Sequence, residues 1–424
     1  MLKERWPHGE GDFRLLDRVV VINDLSRAAG GQTAIALDSA IAARKANIAV
    51  TFITGDEGDV SPLTSAGVEI VSLGGERLMS LSGRQAMMVG LYNQAASALV
   101  RDWIREHDTP STVYHLHGWA QTLSPSVFAA LQSVSDRLVI SAHDFFLACP
   151  TGSFSLPRTG AVCDLKPLSA RCVLTNCDRR NYGHKVWRMG RQIVANALRT
   201  KLAPSPMILV VHPAMRPFLM RGGIPAHSIM TLRNPATGFA TPRRSTPIGD
   251  ELLFVGRLDT TKGPHVALEA ARKAGVKMRV IGTGPLEPRL RMDYPEMEFA
   301  GHVERAQIGP LAANARALIM PSLYPEPFGL AAVEALWSGL PVIVSDTALL
   351  ADEIVACGAG MAFKVGDVDQ LAEQMRLIMS NEKLAVEMGK NAVTNTKELA
   401  MNPVEWSNTL IDIYQSLIEN NISF

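Results

Sequence analysis

Apolar runs of four to six residues alternate with longer amphipathic stretches along this chain, and the alternation occurs twice. That pattern restricts the fold to parallel sheets covered by crossover helices. In the first half it predicts strands at Val19–Asn23, Ile48–Ile53, Val68–Leu73, Thr112–Leu116 and Leu138–Ala142, with helices near 32–45, 84–107 and 122–134. In the second half it predicts strands at Glu251–Val255, Lys277–Ile281, Met297–Ala300, Ala317–Met320 and Pro341–Ser345, with helices near 264–274, 304–314, 329–338 and 347–356. Each half reads as a doubly wound α/β domain. The stretch from Asn234 to Pro247 is rich in turn formers and poor in apolar periodicity, so the boundary falls there. The domains are then 1–240 and 241–402, followed by a helix over 403–424, and a cleft between two such domains is a natural ligand site.

A chain of 424 residues with 47% hydrophobic content is long enough for this arrangement. No apolar run reaches the roughly 18 residues of a spanning helix, and Met-Leu-Lys-Glu-Arg-Trp lacks a signal-peptide core, so a cytoplasmic protein is expected. A net charge of +1 argues against nucleic acid as a partner.

The segment Glu326-Pro-Phe-Gly-Leu-Ala-Ala-Val-Glu334 places two carboxylates around a helix start that follows an apolar strand. At about 1.5 Å per residue they would lie roughly 12 Å apart along a helix axis, comparable to the reach from a sugar across a diphosphate to a ribose. Gly329 and Leu330 would offer helix N-terminal N–H groups to the phosphates. The alternative is a capped surface helix with solvated acids. Gly256-Arg257-Leu-Asp-Thr-Thr-Lys262-Gly263 puts two cations in a loop at the carboxyl end of a strand, where open α/β sheets bind ligands. A diphosphate beside Glu326 needs such cations.

Gly282-Thr-Gly284-Pro285 follows another strand but lacks the third glycine of the dinucleotide fingerprint. Gly282 and Gly284 are candidates for nucleotide contact, with a plain tight turn as the alternative; Gly301-His302-Val303 is a candidate lining of a base pocket. Asp367-Val-Asp369 opens a periodic run and reads as a helix N-terminus rather than a metal site. In the first half, Gly30-Gly31 lies between a strand and a helix, where a substrate could approach the backbone, and His143-Asp144 stands at the ligand-facing end of Leu138–Ala142. His115 and His117 end the preceding strand and read as hydrogen-bonded structure.

Four of the five cysteines, Cys149, Cys163, Cys172 and Cys177, lie in a Pro- and Gly-rich stretch over about 147–180. A structural zinc site is one reading; independent buried thiols or disulfides are the others. The segment 179–201 carries seven Lys or Arg and no acid, interleaved with apolar residues. It reads as a basic amphipathic helix that rests on an anionic membrane surface or packs one face on its own domain.

Taken together, Gly30-Gly31, His143-Asp144, Gly256-Arg257 with Lys262-Gly263, and Glu326 to Glu334 followed by Gly339-Leu-Pro341 resemble glycosyltransferase family 4, retaining enzymes of the GT-B fold. The resemblance runs through nearly the whole chain in order; the cysteine-bearing insertion departs from the general family pattern and is associated loosely with relatives in bacterial polysaccharide assembly. It implies an N-terminal acceptor-binding and a C-terminal donor-binding Rossmann-like domain, with the last helix crossing back to the first. It implies that Arg257 and Lys262 bind the donor diphosphate, that Glu326 holds donor-sugar hydroxyls, and that Glu334 binds the ribose. Gly329 and Leu330 would bind phosphate, Gly31 would approach the donor, and His143 would stand beside the reacting sugar. The expected reaction moves a hexosyl unit from a nucleotide-diphosphate sugar to a glycan or lipid-linked glycan, with retention and without a catalytic metal. An epimerase or phosphorylase on the same fold, or a silent nucleotide-sugar-binding protein, are the competing readings.

Overall fold

The computed structural model describes residues 16–27, 30–58, 60–157, 160–239 and 249–420. The first nine strands are β1 (Arg18–Asn23), β2 (Ala49–Thr54), β3 (Glu69–Ser72), β4 (Thr112–Leu116), β5 (Leu138–Ala142), β6 (Ser155–Leu156), β7 (Ala161–Val162), β8 (Met207–Val210) and β9 (Ile229–Thr231). All but β6 and β7, which form a small antiparallel hairpin, lie in one sheet of order β3-β2-β1-β4-β5-β8-β9. The remaining strands are β10 (Glu251–Val255), β11 (Lys277–Ile281), β12 (Glu298–Gly301), β13 (Ala315–Met320), β14 (Val342–Ser345) and β15 (Gly360–Phe363). They form a second sheet of order β12-β11-β10-β13-β14-β15, in which each neighbouring pair is parallel.

Strands such as β1, RVVVIN, and β13, ARALIM, are apolar along most of their length because helices cover both faces of a parallel sheet. In the second sheet, Leu252, Phe254, Val280 and Ile319 pack with Ala267, Leu268 and Ala271 of the helix Pro264–Ala274. Each sheet has one place where the strand order reverses direction: between β1 and β4 in the first, and between β10 and β13 in the second. Open α/β sheets bind ligands outside the carboxyl ends of the strands at such points.

The chain divides into two compact units, Met1–Ile140 with Leu198–Pro206 and Ser407–Phe424, and Ser141–Ala197 with Met207–Trp406. The domain boundary expected at 240/241 lies outside the described residues. In the first unit the helix Pro403–Asn420 brings Tyr414, fully buried, to His115, with 2.6 Å between the hydroxyl and Nδ1. His117 Nε2 lies 3.1 Å from the same nitrogen, so both histidines are buried hydrogen-bonded structure. The predicted helix near 84–107 is two helices, Gly83–Leu91 and Gln94–His107, because Asn93 accepts the Ala96 N–H and caps the second. The helix predicted near 122–134 is only Val127–Ala130 followed by a 3₁₀ turn.

Candidate functional site

The loop after β10 is built around Asp259. Its Oδ1 accepts the backbone N–H of Thr261 at 2.8 Å and of Lys262 at 3.2 Å, and also the Thr261 hydroxyl. Its Oδ2 accepts from Arg257 Nε at 2.7 Å. Burial works against the Asp259 charge, but the Thr261 hydrogen bonds and the Arg257 cation outweigh it and hold the carboxyl below its usual range. The loop ends at Gly263, which caps the helix Pro264–Ala274 with φ at +67°; a Cβ there would stand 2.1 Å from the Pro321 carbonyl oxygen. Only glycine allows that approach, and it joins the loop after β10 to the loop after β13. The Leu323 N–H to Thr261 O bond, 2.7 Å, makes the same connection.

The second loop carries Glu326, 6% exposed. Lys262 Nζ donates to its Oε1 at 2.5 Å and Ser322 Oγ to its Oε2 at 2.8 Å. Ser322 is fixed in turn through its carbonyl oxygen, which accepts from Ser345 Oγ at 2.8 Å. Tyr324 also bonds to Glu326, and burial first, then this carboxylate, raises its pKa well above the ordinary phenol range. Asp144 and Asp259 act on Tyr324 in the same direction, so the segment after β5 belongs to the electrostatic surroundings of this site. His143 in that segment has its imidazole pushed by burial down to about 4, which leaves it neutral at pH 7.

Glu326 and Glu334 are not eight helical residues apart. The helix is Leu330–Trp337, capped by Gly329 at φ +71° and by no side chain, so Glu326 precedes it in an irregular loop. The roughly 12 Å helical separation therefore does not apply. Glu334 is 6% exposed, and Arg305 Nη2 lies 2.5 Å from its Oε1. Burial raises Glu334 to about 7 in spite of Arg305. Arg305 also donates to Thr237 Oγ1 at 2.8 Å.

Of the glycines singled out, Gly282 has its N–H bonded to the Gly301 carbonyl at 2.8 Å, and a Cβ on it would stand 1.9 Å from Gly256 O. A Cβ on Gly284 would stand 2.5 Å from Leu258 O. Both therefore have a packing reason to be glycine. His302 is three-quarters exposed beside Glu304. Gly31 is the first residue of the helix Gly31–Lys45, whose first turn holds no acid and no side-chain cap, and a Cβ on Gly31 would meet nothing within 4 Å. The preceding Ala28 and Ala29 lie outside the described residues. Asp367 accepts the Gln370 N–H at 3.0 Å and caps the helix Val368–Ser380, as its spacing predicts.

The four clustered cysteines are all free, buried, and around one small cavity with Lys185. Burial raises the Cys163 thiol, and Cys149, Cys177 and Cys172 add to the rise. Among the described residues no three His, Cys, Asp or Glu side chains are placed to hold a metal ion as they stand.

The helix Tyr182–Arg199 departs from the expected basic outer face. Lys185 and Arg191 are buried, Arg188 pairs with Asp178 at 2.8 Å, and the exposed side carries Tyr182, Val186 and Ile193. Just before it, Arg179 has its ionisation lowered by burial, opposed by Asp259 and Tyr324. Arg179 thus joins Asp259, Ser322, Tyr324 and Arg305 as residues of the site that spacing did not single out.

Residues 249–394 match the family model described as glycosyl transferases group 1, so the chain carries such a domain. A glycogen synthase of Mycobacterium tuberculosis is 30% identical over 164 residues, 36% of this chain and 37% of that protein. The O-antigen chain mannosyltransferase C of Escherichia coli is 25% identical over 184 residues, 41% of this chain and 48% of that protein. The chain thus spans less than half the length of these relatives. Among solved structures, sucrose-phosphate synthase from Thermosynechococcus elongatus superposes with a TM-score of 0.70 at 17% identity, covering 95% of this chain and 100% of that one. HepE of Anabaena in complex with UDP superposes with 0.64 at 16% identity, covering 94% and 100%. The two parallel-sheet domains and these likenesses establish the GT-B fold.

Proposed function

We propose that this protein is a retaining, family 4 glycosyltransferase that moves a hexosyl unit from a nucleotide-diphosphate sugar to a glycan or lipid-linked glycan acceptor in polysaccharide assembly. The observation that carries the reading is the Lys262–Glu326 pair at the point where the second sheet reverses, with Arg257 beside it on the same loop. A carboxylate fixed from two sides suits sugar hydroxyls, and two cations suit a diphosphate. HepE has been seen with UDP and with UDP-glucose, which supports a nucleotide-sugar donor here.

In this reading the acceptor oxygen bonds to the anomeric carbon as the bond from that carbon to the phosphate oxygen breaks. Attack comes from the leaving-group face, and the departing phosphate takes the acceptor's proton. Arg257 and Lys262 stabilise the charge that grows on the diphosphate, so no metal is assigned a part. Gly329 and Leu330 offer N–H groups to the same phosphates. Glu334 holds the ribose, and the neutral His143 stands beside the reacting sugar. Gly282 and Gly284 keep the nucleotide loop close-packed. The domains are 1–240 for the acceptor and 241–402 for the donor, with 403–424 returning to the first. The protein acts in the cytoplasm, and 179–201 touches the membrane face; loss of vesicle binding on replacing Val186 and Ile193 with Asp would support that contact, and unchanged binding would remove it.

The reading is tested by thermal unfolding with millimolar UDP, GDP, ADP or CMP, followed by NMR of the product made from the matching sugar donor. A ligand at about 100 times its Kd adds about 2.7 kcal/mol of stability. Stabilisation by one diphosphate and a product of unchanged anomeric configuration is expected. An inverted product refutes retention, and no response to any nucleotide refutes the donor site.

A further inference from the structure

The insertion over about 147–180 has little regular structure among its described residues: two two-residue strands and the five-residue helix Ala170–Leu174. It nevertheless buries four cysteines, with exposures of 7% for Cys149, 9% for Cys163, 6% for Cys172 and 8% for Cys177. All four face one cavity, although they are spread over nearly thirty residues of chain. Cys357, the remaining cysteine, is elsewhere and donates to the Asn395 carbonyl at 3.1 Å.

Lys185 of the helix Tyr182–Arg199 lines the same cavity and is 1% exposed. Its Nζ donates to Cys177 Sγ at 3.0 Å and to Cys172 Sγ at 3.6 Å. A buried ammonium is costly unless an opposite charge faces it, and neutral thiols provide none. Sulfurs that carried negative charge would account for its position. Thiolates persist under reducing conditions when a soft metal holds them.

We infer that Cys149, Cys163, Cys172 and Cys177 bind one structural zinc ion, with Lys185 donating N–H···S bonds that offset the charge of the tetrathiolate. Four thiolates around a divalent cation leave two excess negative charges. Lys185 compensates one. A second cation is close at hand, since Arg221 Nη1 donates to the Cys163 carbonyl at 2.7 Å while its guanidinium stacks 5.3 Å from Phe154 and from Phe218. As they stand the thiols line the cavity walls rather than meeting at ligand distance. Zinc–sulfur bonds of about 2.3 Å would require the thiols to move inward from those walls. With no open position the ion is scaffolding. It pins the insertion to the helix Tyr182–Arg199 and fixes Cys177, two residues before Arg179, which faces the charge of Asp259. The inference stands independently of the transferase reading.

The test is the metal content of the full chain purified under reducing conditions, together with reconstitution of metal-free protein with cobalt(II). About one zinc per chain, released by a mercurial that blocks thiols, and a cobalt spectrum with sulfur charge-transfer and tetrahedral ligand-field bands are expected. Cys172→Ser with Cys177→Ser should abolish both. Lys185→Met should keep the spectrum but weaken zinc in a chelator competition by roughly 10–100-fold, as loss of an outer-shell partner does. Should the cysteine variants fail to fold, the cobalt spectrum of the unaltered chain decides. Four reactive thiols that take up neither metal, a disulfide among them, a cobalt spectrum that survives the double substitution, or unchanged affinity without Lys185 would each overturn the inference.

Discussion

Replacing Glu334 with Gln should change how stability depends on pH, and the size of the change follows from its burial. The carboxyl is 6% exposed and rises from 4.5 to about 7. A folded-state pKa above the unfolded one gives a contribution that is fully present below about 4.5 and is lost as pH rises through about 7. At about 1.4 kcal/mol per tenfold, the gap is worth roughly 3 kcal/mol. The Glu334→Gln variant keeps the shape without the titration. Its unfolding free energy minus that of the unaltered chain should therefore rise by roughly 3 kcal/mol between pH 5 and pH 8, measured by urea unfolding across that range. Arg305 opposes the shift, so Arg305→Leu in the unaltered background should move the transition to higher pH. In the proposed role the ionised Glu334 accepts more strongly from the ribose hydroxyls than the neutral acid, so nucleotide affinity should also strengthen as pH rises through about 7, and Glu334→Gln should remove that dependence. A stability difference that is flat from pH 5 to pH 8 would refute the argument.

Three other substitutions probe the remaining links. Glu326→Gln should lower turnover by roughly 10²-fold or more with the fold intact, since it weakens an anchor for the sugar and leaves Lys262 without a charged partner; near-normal turnover would remove Glu326 from the site. Gly263→Ala forces a Cβ to 2.1 Å from Pro321 O at a positive φ, and should cost about 3 kcal/mol in denaturant unfolding; a loss under about 1 kcal/mol would show that the two loops can separate freely. Tyr414→Phe removes the hydroxyl at 2.6 Å from His115 and should cost about 1–3 kcal/mol, read as a lowered urea midpoint; an unchanged midpoint would mean that the terminal helix is held by its apolar face alone.

What was legible in the chain and what was not divides along physical lines. Strands buried on both faces, such as β1, β10 and β13, show as apolar runs, and their carboxyl ends point to the loops of Lys262 and Glu326. The strand β8, MILV, does carry an apolar run, but it stands between Pro206 and Pro213 outside the regular alternation; β9, of three residues, leaves none, nor does β15, whose four residues are GMAF. Pairings across long separations, in the site and elsewhere in the fold, were illegible. Arg305 meets Glu334 across 29 positions, and His212 and Arg233 meet Glu353 across 141 and 120. The helix 182–199 misled for a related reason. A run of cations reads as a wet face, yet Lys185 and Arg191 turn inward toward partners that only the folded chain supplies.

The charges proposed for the donor are already paired before any donor arrives: Lys262 with Glu326, Arg257 with Asp259, and Arg305 with Glu334. Binding a diphosphate is then an exchange of partners, and the two cations differ in what exchange costs them. The Arg257 side chain is 67% exposed, so its pair with Asp259 is worth about 0–1 kcal/mol and can be given up cheaply. Lys262 faces a nearly buried carboxylate and has three N–H donors, so it can keep Glu326 with one and offer the others to phosphate. Arg257→Ala should accordingly weaken nucleotide binding while leaving the unfolding midpoint within about 0.5 kcal/mol of the unaltered chain. Lys262→Ala should weaken binding and also cost about 1–3 kcal/mol, because Glu326 remains behind with Ser322 and Tyr324 as its partners. Equal stability losses in the two variants, read by urea unfolding without ligand, would show that exposure does not separate their roles.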